Sequence, residues 1–113
     1  VLVEDAEFPA MQSFPASLVL RDEHYQLKDF SRSKVRVLAR LDPGSVDLKA
    51  PLIHRKDGDF PVAWAKSHGK GRVFYSTLGH LPESWDNQVI QRMYFEAIRW
   101  ALRLTDGDAT PVR

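Results

Sequence analysis

The chain has 113 residues, 43% of them hydrophobic and 27% charged, enough for one domain with a modest core. Sixteen basic against 15 acidic side chains leave a formal charge of +1, which excludes the global field that draws a protein to nucleic acid or an anionic membrane. No cysteine is present, so these residues hold no disulfide, no thiolate metal site and no cysteine nucleophile, and no apolar run nears the ~20 residues that cross a bilayer.

Val1-Leu2-Val3 reads as the end of a strand already under way, so the N-terminal portion of the domain is expected to lie outside this chain. Pro9 and Pro15 argue for an irregular connection up to Ala16. Ser17–Leu20 has the pattern of a short strand, and the charged and aromatic stretch Arg21–Ser33 reads as loop. Lys34–Leu41 alternates most clearly. Val35, Val37, Ala39 and Leu41 fall on one side, Lys34, Arg36 and Arg40 on the other, and Leu38 is the exception. The basic side has the spacing of a solvated strand face rather than a nucleic-acid groove.

Asp42-Pro43-Gly44 and Asp57-Gly58 punctuate a long loop that reaches Pro61, and loops of that length in compact domains are often functional. Two β-type runs, Pro61–Ser67 and Arg72–Leu78, flank His68-Gly69-Lys70-Gly71 and predict a hairpin. The second run is apolar on both faces, as a central strand would be. A helix is expected from about Asp86 to Leu104. Ile90, Met93, Tyr94, Ala97, Ile98 and Ala101 form its apolar stripe, with Gln91, Arg92, Glu96, Arg99 and Arg103 on the polar face. Asp86 or Ser84 can cap its start and Asp106-Gly107 can end it, leaving 105–113 as a flexible tail.

Two constellations carry candidate chemistry. Asp22-Glu23-His24-Tyr25 could supply acid/base groups or acceptors for sugar hydroxyls, and fits equally a charged loop with an aromatic anchor. Gly79-His80 follows the second hairpin run, and open α/β sheets bind ligands beyond the carboxyl ends of their strands. Gly79 would permit a sharp turn, and Trp85 nearby offers a flat face for a sugar ring. A histidine capping a strand end, with Trp85 stapling the next helix, explains the same residues. Gly69-Lys70-Gly71 lacks the rest of a phosphate-binding loop and is read as a turn. No nucleophile elbow and no metal-binding histidine pair occur among His24, His54, His68 and His80. No cofactor motif is evident, while a divalent metal held by His80, Glu23 and residues upstream of the chain stays open.

"DEHYQ", then "W…GKGRVFY…LGH", then a tryptophan and the terminal "AIRWAL" together resemble the trehalose-utilisation (ThuA-like) family, over about Ser17 to Leu102. The resemblance implies a class I glutamine amidotransferase-like, flavodoxin-type α/β sandwich, of which this chain would be the C-terminal half. It implies a link to trehalose or a related keto-disaccharide in a soluble, cytoplasmic, bacterial protein. Carried over residue by residue, it makes His80 and Glu23 the catalytic candidates and Tyr25, Trp85, Asp22 and Gly79 the substrate-binding ones. Where many relatives carry His-Pro, this chain has Phe8-Pro9. Two functions follow as expectations: an enzyme on a sugar or keto-sugar with His80 as acid/base, or a carbohydrate-binding or scaffold domain without chemistry. The expected partner is a small-molecule sugar, with neither nucleic acid nor membrane. A half-sandwich would leave a sheet edge and an apolar face unpaired, so self-association into a homo-oligomer is expected too.

Overall fold

The computed structural model describes residues 1–112 and shows an α/β chain with one four-stranded sheet and two helices. The strands are β1 (Leu2–Val3), β2 (Arg36–Arg40), β3 (Pro61–His68) and β4 (Gly71–Ser76). They lie in the order β1-β2-β3-β4, and every neighbouring pair is antiparallel. The helices are α1 (Pro82–Asp86) and α2 (Gln88–Ala101).

The hairpin forms where the sequence places it, with a tighter turn. β3 runs on through His68, and only Gly69 and Lys70 connect it to β4. Gly69 has φ 55°, the positive value a two-residue hairpin turn requires and glycine adopts without a Cβ clash. β4 departs from expectation: it is an edge strand, partly exposed along its length, and not a central one. Its apolar character on both faces has a local cause. Phe74 packs edge-on to Tyr94 of α2, with ring centroids 6.2 Å apart, and Tyr75 stacks on Trp64 of β3 at 5.0 Å on the other face.

β2 also differs in one respect. Leu38, the exception to its alternation, is fully buried along with Val37 and Ala39, and the pairing to β3 shifts register twice there. A bulge lets consecutive side chains turn inward, which strict alternation forbids. Ser17 makes an isolated bridge to Leu2, and Ser17–Leu20 forms no strand beyond it. The loop from Leu41 to Phe60 contains one 3-10 turn, Pro43–Ser45, and returns the buried Phe60 to the core.

The expected long helix is two. Asn87 ends α1 and its side chain accepts from the Val89 N–H at 2.9 Å, so Asn87 caps α2 in place of Asp86 or Ser84. Ile90, Met93 and Ala97 face the core as expected, joined by Trp100, whereas Ile98 is 58% exposed and Ala101 is exposed. Glu96, placed on the polar face, is 8% exposed and lies between Arg92 (2.7 Å) and Arg99 (3.1 Å). The core centres on Trp100, Met11, Leu38, Leu78, Ile90 and Met93. Phe8 meets Trp100 edge-on at 4.9 Å, so the Phe8-Pro9 pair is core packing. Trp100 Nε1 donates to the Gly107 carbonyl at 3.0 Å, and Ala109 is buried, so part of the segment expected to be a free tail lies against α2. Arg113 lies outside the described residues. No helix among them is long and apolar enough to cross a membrane.

Candidate functional site

Everything that places His80 converges on Asp22. The Asp22 carboxylate accepts the main-chain N–H of Gly79 (2.6 Å), His80 (3.1 Å) and Leu81 (3.0 Å) and the Ser84 hydroxyl (2.9 Å), and it also turns back on the Glu23 N–H at 2.9 Å. Three consecutive N–H groups pointing at one anion form a nest of backbone dipoles. Burial works against the charge, but the bonds from Gly79, Leu81, Ser84 and Glu23 together hold the Asp22 carboxyl below its ordinary range. The acid is thus engaged on both oxygens by the protein itself. The segment 21–25 and the loop after β4, 57 or more residues apart in sequence, are pinned together through it.

The pinned loop makes a turn that only glycine takes easily. Gly79 has φ 114°, and a Cβ there would stand 2.8 Å from Trp85 Cζ2. Trp85 Nε1 donates to the Gly79 carbonyl at 2.8 Å, and its ring stacks on Tyr94 at 5.0 Å. One face of Trp85 is therefore structural, as a staple of α1 onto α2, while 47% of the residue stays exposed.

On this frame Glu23, Tyr25 and His80 meet. His80 Nδ1 lies 3.0 Å from Glu23 Oε2 and 3.1 Å from Tyr25 Oη, and the two rings stand edge to face at 6.2 Å. Tyr25 Oη donates weakly to Glu23 Oε2 at 3.5 Å. Desolvation first, then the Glu23 charge, pushes the Tyr25 phenol above its ordinary value, so it keeps its proton at neutral pH. An ionised Glu23 accepts from Nδ1–H, which leaves Nε2 as the basic nitrogen. A carboxylate orienting an imidazole in this way is a proton-transfer arrangement. Its side chains are open to water, 46% for His80 and 56% for Glu23.

The other candidate histidine is elsewhere. His24 lines a separate cavity of about 430 Å³ with Leu18, Leu20, Leu41 and Val46, and its Nδ1 is buried without a hydrogen-bond partner. His80 and Glu23 can offer two metal ligands, but no group of three or more His, Asp or Glu side chains converges as a metal site among the described residues.

Sequence reasoning thus names the residues that assemble here and misses what assembles them. Ser84, read as a helix cap, binds Asp22 instead. Gln26 holds the next stretch of loop by donating to the Leu52 carbonyl (2.7 Å) and accepting from the His54 N–H (2.8 Å). Tyr94, read as core, supports Trp85.

The sequence profile of the ThuA family, described as trehalose utilisation, matches residues 1–101. This chain belongs to the ThuA family. The match contains the whole sheet, Asp22, the Glu23–Tyr25–His80 cluster, Trp85 and all of α2. No curated protein and no solved structure matches the chain. Membership in the ThuA family connects the chain with the utilisation of trehalose.

Proposed function

We propose that this ThuA-family chain acts on trehalose or a related keto-disaccharide, with the sugar lying on the open face formed by the exposed side of Trp85, Tyr25 and His80. The observation that carries the reading is the contact of His80 Nδ1 with Glu23 at 3.0 Å, on a loop whose main chain is fixed by Asp22. Glu23 orients the imidazole, Nε2 takes or returns a proton at a sugar hydroxyl or at the carbon beside a keto group, and the Tyr25 phenol donates a hydrogen bond to the developing oxygen charge. Trp85 supplies a flat apolar surface for the ring. Asp22 and Gly79 act on the sugar through the loop they shape. In this reading the antiparallel sheet is one flank of a flavodoxin-type, class I glutamine amidotransferase-like sandwich, without the cysteine that amidotransfer needs.

The test is turnover of a keto-disaccharide by the full-length protein and its His80→Ala variant. The variant is expected to lose turnover while melting with the parent, since His80 is exposed and its removal leaves no core cavity. Equal turnover by the two proteins refutes the assignment. The openness of the cluster favours a second reading, a carbohydrate-binding domain without chemistry. That reading expects saturable sugar binding by the parent, weakened by Trp85→Ala, and no product after long incubation.

A further inference from the structure

β4 has no strand on its outer side among the described residues. Edge strands are usually protected by prolines, bulges or inward-pointing charges. β4 has none of these. Its pairing to β3 runs without a register shift from Gly71 to Ser76, it contains no proline, and its one charged residue is Arg72. That guanidinium is tied down, donating to the carbonyls of Trp100 (2.8 Å) and Thr105 (3.1 Å).

Beside the strand lies α2, antiparallel to it: Arg72 sits over Trp100 at 5.1 Å and Phe74 against Tyr94. Between them runs an open groove of about 500 Å³ lined by Val73, Phe74, Tyr94, Ala97 and Ile98. Ile98, 58% exposed, stands near its middle, with Phe95 at 53% and Leu102 at 65% along the same helix. Unpaired strand and exposed apolar helix thus form one continuous surface.

Its charges indicate what covers it. The hairpin end of β4 is basic, with exposed Lys70 and Arg103, joined by the Arg103 hydrogen bond to the Lys70 carbonyl. The opposite end is acidic, with exposed Glu23, Glu83 and Asp86. A second copy added antiparallel at β4, about a two-fold axis near Val73–Phe74, lays each basic end on the other's acidic end. We infer that β4 and α2 are the interface of a two-fold homodimer of this chain, whose two sheets join into one eight-stranded sheet. Like patches then meet as an isologous interface should, apolar centre on apolar centre and opposite charges at the rim. The Lys70 of each copy comes to the loop after β4 of the other, beside the Glu23–His80 cluster.

Strand and helix are each about 20 Å long, which puts the contact near the small end of specific interfaces and makes the dimer a weak one. The experiment is mass by light scattering and sedimentation at high micromolar protein concentration, on the whole chain. The parent is expected to associate to a dimer. Ile98→Glu, a surface change on α2, is expected to give a monomer with the parent's melting curve. Lys70→Glu and Glu83→Lys are each expected to weaken the dimer about tenfold, and the two together to restore it. A monomeric parent, a dimer indifferent to Ile98→Glu, or a double charge swap no tighter than its singles overturns the inference. Mass is read without sugar, so failure here leaves the proposed chemistry standing, and failure of that chemistry leaves the dimer standing.

Discussion

Replacing Asp22 by Asn keeps size and shape and removes the charge that the loop 79–84 is built on. Oδ1 accepts from Glu23, His80 and Leu81, and Oδ2 from Gly79 and Ser84. An Asn carbonyl can keep the first set, but its amide then faces the Gly79 N–H donor to donor, and every remaining bond loses its charge assistance. Hydrogen bonds to charged groups contribute about 1.5–3 kcal/mol each, and one is lost outright while others weaken. The partial exposure of Asp22 lowers the total, and about 3 kcal/mol is expected, a fall of about 10 °C in Tm for a domain of this size. The pH dependence carries its own sign. A carboxyl whose folded pKa is depressed adds stability that is complete above its unfolded value and is lost as pH falls through the lowered folded one. The gap between parent and Asp22→Asn is therefore wide at neutral pH and closes on acidification below about pH 4. Thermal unfolding by circular dichroism from neutral pH downwards measures both. A variant that melts within a degree of the parent at neutral pH, or a gap that stays constant into acid, refutes the reasoning.

Gly79→Ala forces a Cβ to within 2.8 Å of Trp85 Cζ2 at φ 114°. A loss of about 1–3 kcal/mol is expected, and the Trp85 emission should shift as the ring leaves Tyr94, which fluorescence-detected unfolding reads directly. Trp100→Ala empties the centre of the core and removes the bond to the Gly107 carbonyl, so a loss of about 3–5 kcal/mol is expected in chemical denaturation. Leu102→Ala, only two residues on but 65% exposed, should stay within about 0.5 kcal/mol of the parent in the same assay.

Local pattern reveals what is local. The hairpin is written in two β-type runs around Gly69, and α2 in the spacing of Ile90, Met93 and Ala97, so both are legible in the sequence. The break at Asn87 is less so, because Asp86 and Ser84 are equally good caps and only the path of the chain selects among them. The edge position of β4 is hidden by its own composition: Tyr75 is covered by Trp64 within the hairpin and Phe74 by Tyr94, so an edge strand reads as a buried one. At the site, Glu23, Tyr25 and His80 are named by residue type and motif. The role of Asp22 is not, because a carboxylate reaching across 57 residues to a run of backbone N–H groups leaves no periodicity to detect. Glu96 reads as a surface residue for a similar reason, its burial depending on Arg92 and Arg99 closing over it.

The antiparallel ladder ends at Ser76, so none of the main-chain hydrogen bonds that fix Gly79, His80 and Leu81 belongs to the sheet. Their protection from solvent is only as strong as the attachment of the segment 21–25, and that segment can lift away without breaking a strand. Local opening of this kind has a lower free energy than global unfolding. The histidine is thus carried by the least costly structural unit of the fold to undo, next to one of the most costly. A loop that opens while the sheet stays closed can alternate between free and assembled states of Glu23, Tyr25 and His80, so the number of competent molecules is set by the docking of one short segment and not by the stability of the domain.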